Sequence, residues 1–520
     1  MMPNGSRPSA GKRSVQRRGK VERSAEVHVE VLIIGAGFAG IGTAIRLLQN
    51  GFRDVIVIER ESEVGGTWRD NTYPGCACDV PSRLYSYSFA PNPSWSRRYA
   101  SQPEIADYLC RCADDFGVRP HIRFKCALEN AEWDVESRVW RVQTSTGSLT
   151  ASVLVLAQGP LSEPAIPALP GLDSFGGQMF HSARWNHDLD LTGLRVGVVG
   201  TGASAIQFIP HVQRQAGYLT VFQRTPPWVT PRHDRAIPAW RQELYRRLPI
   251  LDRIARGIEY VRREASVPAL MGNRVLLDLG RREAESHLRR QVCDPVLRAK
   301  LKPSYALGCK RVLLSDDYYP ALTQPNVSVV TGSISRIEPG RVITTVADAD
   351  AEAHDLDVLI FSTGFRVTDG SHQRVVFGSD GRSLEEAWQS SPQAYRGTTV
   401  AGFPNLFLMA GPNTGLGHNS LIYMIESQIA YLVGCLQLMH KQRVDAVEVR
   451  ASVQESYNAR LQRLLGPTVW ANGGCASWYQ DGKNRITTIW PGHTWHYRRE
   501  TATFDPDAYE LTMANKAPAA

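Results

Sequence analysis

Two glycine-rich segments carry the residues with the clearest chemistry. The first is Gly35-Ala36-Gly37-Phe38-Ala39-Gly40, with Glu59 twenty-four residues after Gly35. The second is Gly200-Thr201-Gly202-Ala203-Ser204-Ala205, with Arg224 twenty-four residues after Gly200. In such a turn the first glycine permits a tight bend and the second lets a pyrophosphate approach the backbone. The third, glycine or alanine, lets helix and strand pack closely. The helix N-terminus then faces the phosphates. An acid at the end of the second strand hydrogen-bonds ribose hydroxyls and repels a 2′-phosphate, whereas an arginine forks onto that phosphate. Glu59 therefore marks an FAD-type unit. Arg224, within Gln223-Arg224-Thr225, marks an NADPH-type unit. Two such units in one chain point to hydride passing from NADPH to FAD.

These residues need strands and helices to hold them. Val29 to Ile34 is a continuous apolar run, as a buried parallel strand requires. Helical periodicity follows through Ile41, Ile45 and Leu48, and Val55 to Ile58 forms a second run. The second unit repeats the pattern with Arg195 to Val199 and about 219–222. "VLVLAQG", ending at Gly159, and "DLDVLIFSTGF" (355–365) look like strands at crossings between dinucleotide domains. The fold class expected is α/β, with two Rossmann-like dinucleotide-binding domains and a helical insert. The expected division is a basic tail (1–27), an FAD domain (28–160), a linker with the first part of the NADPH domain (161–230), a helical insert (231–302), the rest of the NADPH domain (303–395), and the rest of the FAD domain with a C-terminal tail (396–520).

The linker "GPLSEPAIPALPGLDSFGG" is proline-rich. It runs into "FGGQMFHSARWN" (175–186), which is too irregular for a helix and too glycine-rich for a good strand. It reads as a hinge, bending at Gly176 and Gly177, with His181 and Trp185 coupling domain rotation to cofactor position.

Composition bounds the rest. A chain of 520 residues is too long for one core. Its net charge is +8, but the first 27 residues hold seven Lys and Arg against two Glu, which reads as a disordered extension. The Arg-rich faces of 231–302 read as solvated helix surface, not a nucleic-acid site. No run of eighteen apolar residues occurs, so no membrane insertion is expected. Nine cysteines, an odd count without a signal peptide, suggest reduced thiols in the cytoplasm. Cys76/Cys78 and Cys110/Cys112 have C-x-C spacing, which suits neither zinc nor a redox dithiol. The position where a flavin-facing dithiol would stand holds Thr67-Trp68-Arg69, against a disulfide reductase.

Phe175, Gly177, His181 and Trp185 stand at the spacing F-x-G-x-x-x-H-x-x-x-W. With "GGTWRDNTYPGCACDVPS", "GCKRVLLSDDYYPAL", "GPNTGLGHNS" and "CASWYQDGKN", the chain resembles the type I Baeyer–Villiger monooxygenases over roughly residues 28–500. Asn186 departs from the Pro or Asp that ends the family motif. The resemblance implies an enzyme that uses FAD, NADPH and O2 to insert oxygen beside a ketone carbonyl through a C4a-peroxyflavin. N- or S-oxidising flavin monooxygenases are the alternative. It also implies roles by position. Gly66, Thr67 and Trp68 form the flavin-side loop. Asp79 is the active-site aspartate that orients Arg311, Tyr85 lies near the flavin, and Leu128 touches adenine through its backbone. Arg224, Thr225 and Lys310 read the 2′-phosphate, Arg311 is catalytic, and Trp478 lies beside the nicotinamide. If 310–311 is extended, Lys310 and Arg311 point to different sides. His181 has no evident acid or nucleophile partner. The substrate and the oligomeric state are not readable.

Overall fold

The computed structural model describes residues 27–345, 351–367, 370–389 and 391–514. All but Val27 of the basic tail lies outside the described residues. Strand β1 (Val27–Ile34) pairs in parallel with β2 (Val55–Ile58) on one side and with Gly147–Leu156 on the other. Val31 to Ile34 are buried, as a strand covered on both faces must be. Helix α1 (Phe38–Gln49) crosses between β1 and β2. Gly35 sits at φ +104°, where a side chain is strained, and a Cβ there would meet the Ala157 carbonyl oxygen at 2.9 Å. A Cβ on Gly40 would lie 1.8 Å from the Gly35 oxygen, so the helix can start this close to the turn only with glycine.

The first sheet has eight strands. Beyond Gly147–Leu156 it continues antiparallel through Val139–Thr144 and Leu128–Asp134. Val376–Phe377 then pairs with Leu128–Asp134, and Leu406–Leu408 with Gly147–Leu156. The chain thus returns to the first sheet by residue 376, ahead of the expected boundary at 396.

The second sheet is entirely parallel. Its strands are β3 (Gln178–His181), β4 (Arg195–Val199), β5 (Tyr218–Phe222), Val327–Val330 and β6 (Val358–Phe361). Their spatial order is Val327–Val330, β5, β4, β6, β3. Helix α2 (Ala205–Gln215) joins β4 to β5. Here "FGGQMFHSARWN" departs from expectation, because Gln178 to His181 is a strand. As an edge strand it draws its ladder from β6, with Phe361 opposite His181. Gly177 is not a free pivot either. A Cβ there would lie 2.2 Å from the Asp357 oxygen, so it is glycine for close approach to β6.

Between β5 and Val327–Val330 the chain makes a helical excursion, dominated by α3 (Pro249–Glu264) and α4 (Arg274–Gln291). Its arginines are not all solvated. Arg256 donates to the Arg83 carbonyl and to Ser86 Oγ, and Arg263 to the Asp79 carbonyl at 3.4 Å. Helix α5 (Leu421–Gln442) packs on α1. It is long and apolar enough to cross a membrane, although no unbroken apolar run occurs, because hydropathy averages over its few polar residues. Most of it is buried inside the protein.

The expectation of uniformly reduced thiols fails at one pair. Cys309 and Cys475 form a disulfide across 166 residues of sequence. Local spacing carries no trace of such a pairing. It arises because the chain around 306–309 packs on 473–475, with Ala306 N donating to the Gly473 carbonyl. The other seven cysteines are free.

Candidate active site between the two dinucleotide units

The carboxyl ends of the parallel strands open into one cavity of about 1100 Å³. This is where open α/β sheets place ligands, at the point where strand order reverses. The glycine turn after β4, Ser362 to Gly364 after β6, and His181 after β3 all line it. Thr67, Trp68, Asp79 and Tyr85 line it from the first unit. Thr201 to Ser204, Arg224, Thr225, Lys310, Arg311 and Trp478 line it from the second unit and its excursions.

Arg311 and Asp79 meet as a two-pronged ion pair. Arg311 Nε donates to Oδ2 at 2.6 Å and Nη2 to Oδ1 at 2.7 Å. Arg311 Nη1 also donates to the Leu416 carbonyl at 3.3 Å. Burial works to raise the Asp79 pKa, but the charge and hydrogen bonds of Arg311 outweigh that and hold it below the usual carboxylate range. The Asp79 charge raises the Arg311 pKa against the opposing effect of burial. Neither group changes charge between about pH 5 and 9.

On the first unit's side, Trp68 Nε1 donates to Tyr85 Oη at 3.0 Å, and Phe38 and Trp68 both pack edge-on against the Tyr85 ring. Gly35 to Gly40, Glu59 and Gly66 lie behind the cavity wall. The Gly37 turn touches the second glycine loop, where a Cβ on Gly66 would approach the Gly37 Cα at 3.3 Å. Glu59 is buried at the end of β2 and accepts from Ala36 N at 2.8 Å and Glu61 N at 3.0 Å, with Arg69 beside it at 3.2 Å. Leu128 is not at the cavity; it begins its strand and packs on the apolar core that contains Trp133 and Trp140.

On the second unit's side, Arg224 and Lys310 line the cavity together. Burial lowers the Lys310 pKa, and the Arg224 charge lowers it further. Two cations placed near enough to repel each other match a doubly charged phosphate. Lys310 also sits over the Tyr305 ring at 5.2 Å. Residues 310–311 form a bend, not a strand, yet their side chains part: Lys310 toward Arg224 and Arg311 toward Asp79. Gln223 and Ala205 do not line the cavity. Gln223 Nε2 instead donates to the Lys300 carbonyl at 2.9 Å, and Ala205 is buried at the start of α2.

His181 is buried, and its Nδ1 accepts from Ala183 N at 3.1 Å, which puts the ring proton on Nε2. Burial depresses its pKa, so the ring is neutral at neutral pH. His181 Nε2, Gln158 Oε1 and Thr487 Oγ1 are buried without a hydrogen-bond partner among the described residues, and all three residues line the cavity. Unpaired buried polar atoms are costly, so the site suits a polar ligand such as a flavin–nicotinamide pair. His181→Ala is expected to slow NADPH-driven flavin reduction by roughly tenfold with FAD retained, as read by stopped-flow absorbance. A fall in melting temperature alone would make it a packing residue.

Sequence reasoning missed several groups. Tyr479 is buried beside the Arg311 charge with its hydroxyl unpaired among the described residues. The Leu416 carbonyl and Arg263 hold Arg311 and Asp79 from the far side. Leu416 and Tyr479 lie in "GPNTGLGHNS" and "CASWYQDGKN" and Arg263 near the end of α3, but no periodicity connects those stretches to residue 79. Trp478 is 46% exposed at the cavity rim, packed on Tyr479. The disulfide joins this rim to the Lys310–Arg311 segment. Cys309→Ser with Cys475→Ser is expected to cost about 2–4 kcal/mol of stability, because it frees a long loop in the unfolded chain. A thermal melt checks this.

Cys76 and Cys78 are buried, and burial pushes the Cys76 pKa up to about 12 and Cys78 higher still. Neither is a ready thiolate, so this pair is not poised as a redox dithiol. The fold and site define a two-dinucleotide flavoprotein oxidoreductase without disulfide chemistry at its flavin side.

The comparisons narrow that class. The family described as pyridine nucleotide-disulphide oxidoreductase matches residues 32–248. A Baeyer–Villiger monooxygenase of Streptomyces coelicolor is 48% identical over 485 residues, covering 93% of each chain. OTEMO in complex with FAD and NADP superposes with a TM-score of 0.82 at 30% identity, over 93% of this chain and 99% of that one. Cyclohexanone monooxygenase from Rhodococcus sp. Phi1 bound to NADP+ gives 0.84 at 28%, over 94% and 100%. The chain belongs to the Baeyer–Villiger monooxygenase family and is an FAD- and NADPH-dependent monooxygenase.

Proposed function

We propose that this enzyme oxygenates a ketone in the cavity between its two units, with Arg311 as the catalytic cation, and that it works in the cytoplasm without a membrane-spanning segment. The balanced reaction takes ketone, O2, NADPH and a proton to ester or lactone, NADP+ and water. The observation that carries the reading is the Asp79–Arg311 pair, set in one cavity between the aromatic wall of the first unit and the paired cations of the second. Bound FAD supplies the ring that accepts hydride from NADPH and activates O2. The protein's own residues do the rest. Thr67, Trp68 and Tyr85 face the flavin ring. Glu59 would hold the ribose of FAD, with acceptor capacity beyond its bonds to Ala36 N and Glu61 N. Arg224, Thr225 and Lys310 grip the 2′-phosphate of NADPH.

Arg311 stays positive when desolvated and faces the negative charge that builds on the ketone oxygen. Asp79 fixes its planar fork. Neutral His181 offers Nε2–H to a carbonyl group at the second sheet's edge, and Trp478 narrows the mouth against water. The N- or S-oxidising alternative has less support, because the family and the built cation both favour ketone oxygenation. A panel of cyclic and linear ketones with NADPH tests the reading, scored by mass spectrometry for inserted oxygen against released H2O2. Oxygen transfer to thioethers but to no ketone would overturn it.

A further inference from the structure

Helix α3 is folded inside out. Ile250, Ile254, Ile258 and Val261 are 58%, 52%, 49% and 64% exposed. At 100° per residue they fall within a single stripe of about 80°. The opposite face, turned to the protein, is charged. Asp252 pairs with Arg83 at 2.8 Å and Glu259 with Arg98 at 3.3 Å. At the C-terminal end of the helix, off that face, Glu264 is buried and accepts from His418, Asn419 and Thr494. A helix that needed only solvent on its outer side has no reason to place four β-branched apolar residues there.

The stripe is edged by exposed Arg253 and Arg262, the latter 3.6 Å from Glu259. The same excursion exposes Trp240, Val275 and Leu279 at 69%, 71% and 56%. Residues 239–300 hold fourteen Arg and Lys against eight Asp and Glu, a local excess of positive charge. An apolar stripe between cations matches a surface that is apolar beneath and anionic above.

We infer that α3 docks the enzyme in-plane on an anionic lipid surface, its Ile250–Val261 stripe entering the headgroup–acyl boundary and its arginines meeting lipid phosphates. The stripe is about 16 Å long at 1.5 Å per residue, enough to lie along the interface and too short to span it. A second copy of this chain fits less well, since a two-fold contact would set Arg253 and Arg262 against their own equivalents. The cationic N-terminal tail cannot cover a cation-edged stripe either. Arg263 ties the inner face of the same helix to the Asp79 carbonyl, so docking engages an element that touches the active site.

The test is co-sedimentation of the full-length FAD-loaded enzyme with vesicles of equimolar phosphatidylcholine and phosphatidylglycerol, and with phosphatidylcholine alone. The wild type is expected to sediment with the anionic vesicles, and less so at high salt. Ile254→Glu with Ile258→Glu is expected to cut binding about tenfold. FAD content, melting temperature and turnover of a water-soluble ketone should stay near wild type, because both side chains face outward. Arg253→Glu with Arg262→Glu should weaken binding to anionic vesicles only. No sedimentation of the wild type would overturn the inference. Binding unchanged in the isoleucine variant would also overturn it, by assigning the attraction to the basic tail. A wild-type dimer that the isoleucine variant splits, seen by light scattering, would assign the stripe to a second copy.

Discussion

Arg311→Ala is expected to abolish ester formation while FAD stays bound and NADPH is still consumed. The loss in oxygen insertion should be about 10²- to 10³-fold, the usual cost of removing one donor aimed at developing negative charge. Arg311 holds no phosphate and closes no sheet, so cofactor loading should survive. Its three bonds go to Asp79 and the Leu416 carbonyl, and its remaining capacity faces the cavity. Consumed NADPH should then appear as H2O2, because nothing holds the reacting ketone. Arg311→Lys keeps the charge but loses the fork, and should retain only part of the activity. The stability cost should be modest, since both partners are partly open to the cavity. Product analysis alongside a peroxide assay decides this, and ester formation at the wild-type rate would remove Arg311 from the chemistry.

Arg224→Ala should raise the KM for NADPH about 10- to 100-fold, as expected for one charge-assisted contact to phosphate. With NADH, which lacks the 2′-phosphate, little should change. Arg224 and Lys310 share one stretch of cavity wall and repel each other there. That arrangement is unfavourable until an anion enters, so NADPH gains twice, from new contacts and from relieved repulsion. Lys310→Ala should behave in the same direction. Steady-state kinetics with both nicotinamides checks this, and an unchanged NADPH/NADH preference would place the phosphate elsewhere.

Much of this layout was legible because dinucleotide binding writes itself locally. A strand, a glycine turn, a helix and a charged residue twenty-four positions on form one continuous segment, and Gly35, Gly40 and Gly200 each stand where a side chain would strike backbone. What joins distant segments was not legible. Asp79 reaches Arg311 across 232 residues, and Cys309 reaches Cys475 across 166. Only family likeness pointed to the first pair, and nothing pointed to the second. Gln178 to His181 was misread because an edge strand borrows its ladder from a neighbour and needs little propensity of its own. Gly177 looked like a hinge because crowding by Asp357, 180 residues away, leaves no local mark. The outward stripe of α3 hid in plain view, since periodicity reports an apolar face but not which way it turns.

The Cys309–Cys475 bond has a mechanical meaning. Its Cα atoms are 6.2 Å apart, and each half-cystine lies within three residues of a cavity-lining group: Lys310 and Arg311 on one side, Trp478 on the other. The rim and the cationic wall therefore share one pivot. The mouth cannot swing open past that pivot without dragging on the phosphate grip and the Asp79–Arg311 fork. The Trp478 rim and the Lys310–Arg311 wall are thus tied together by one covalent bond.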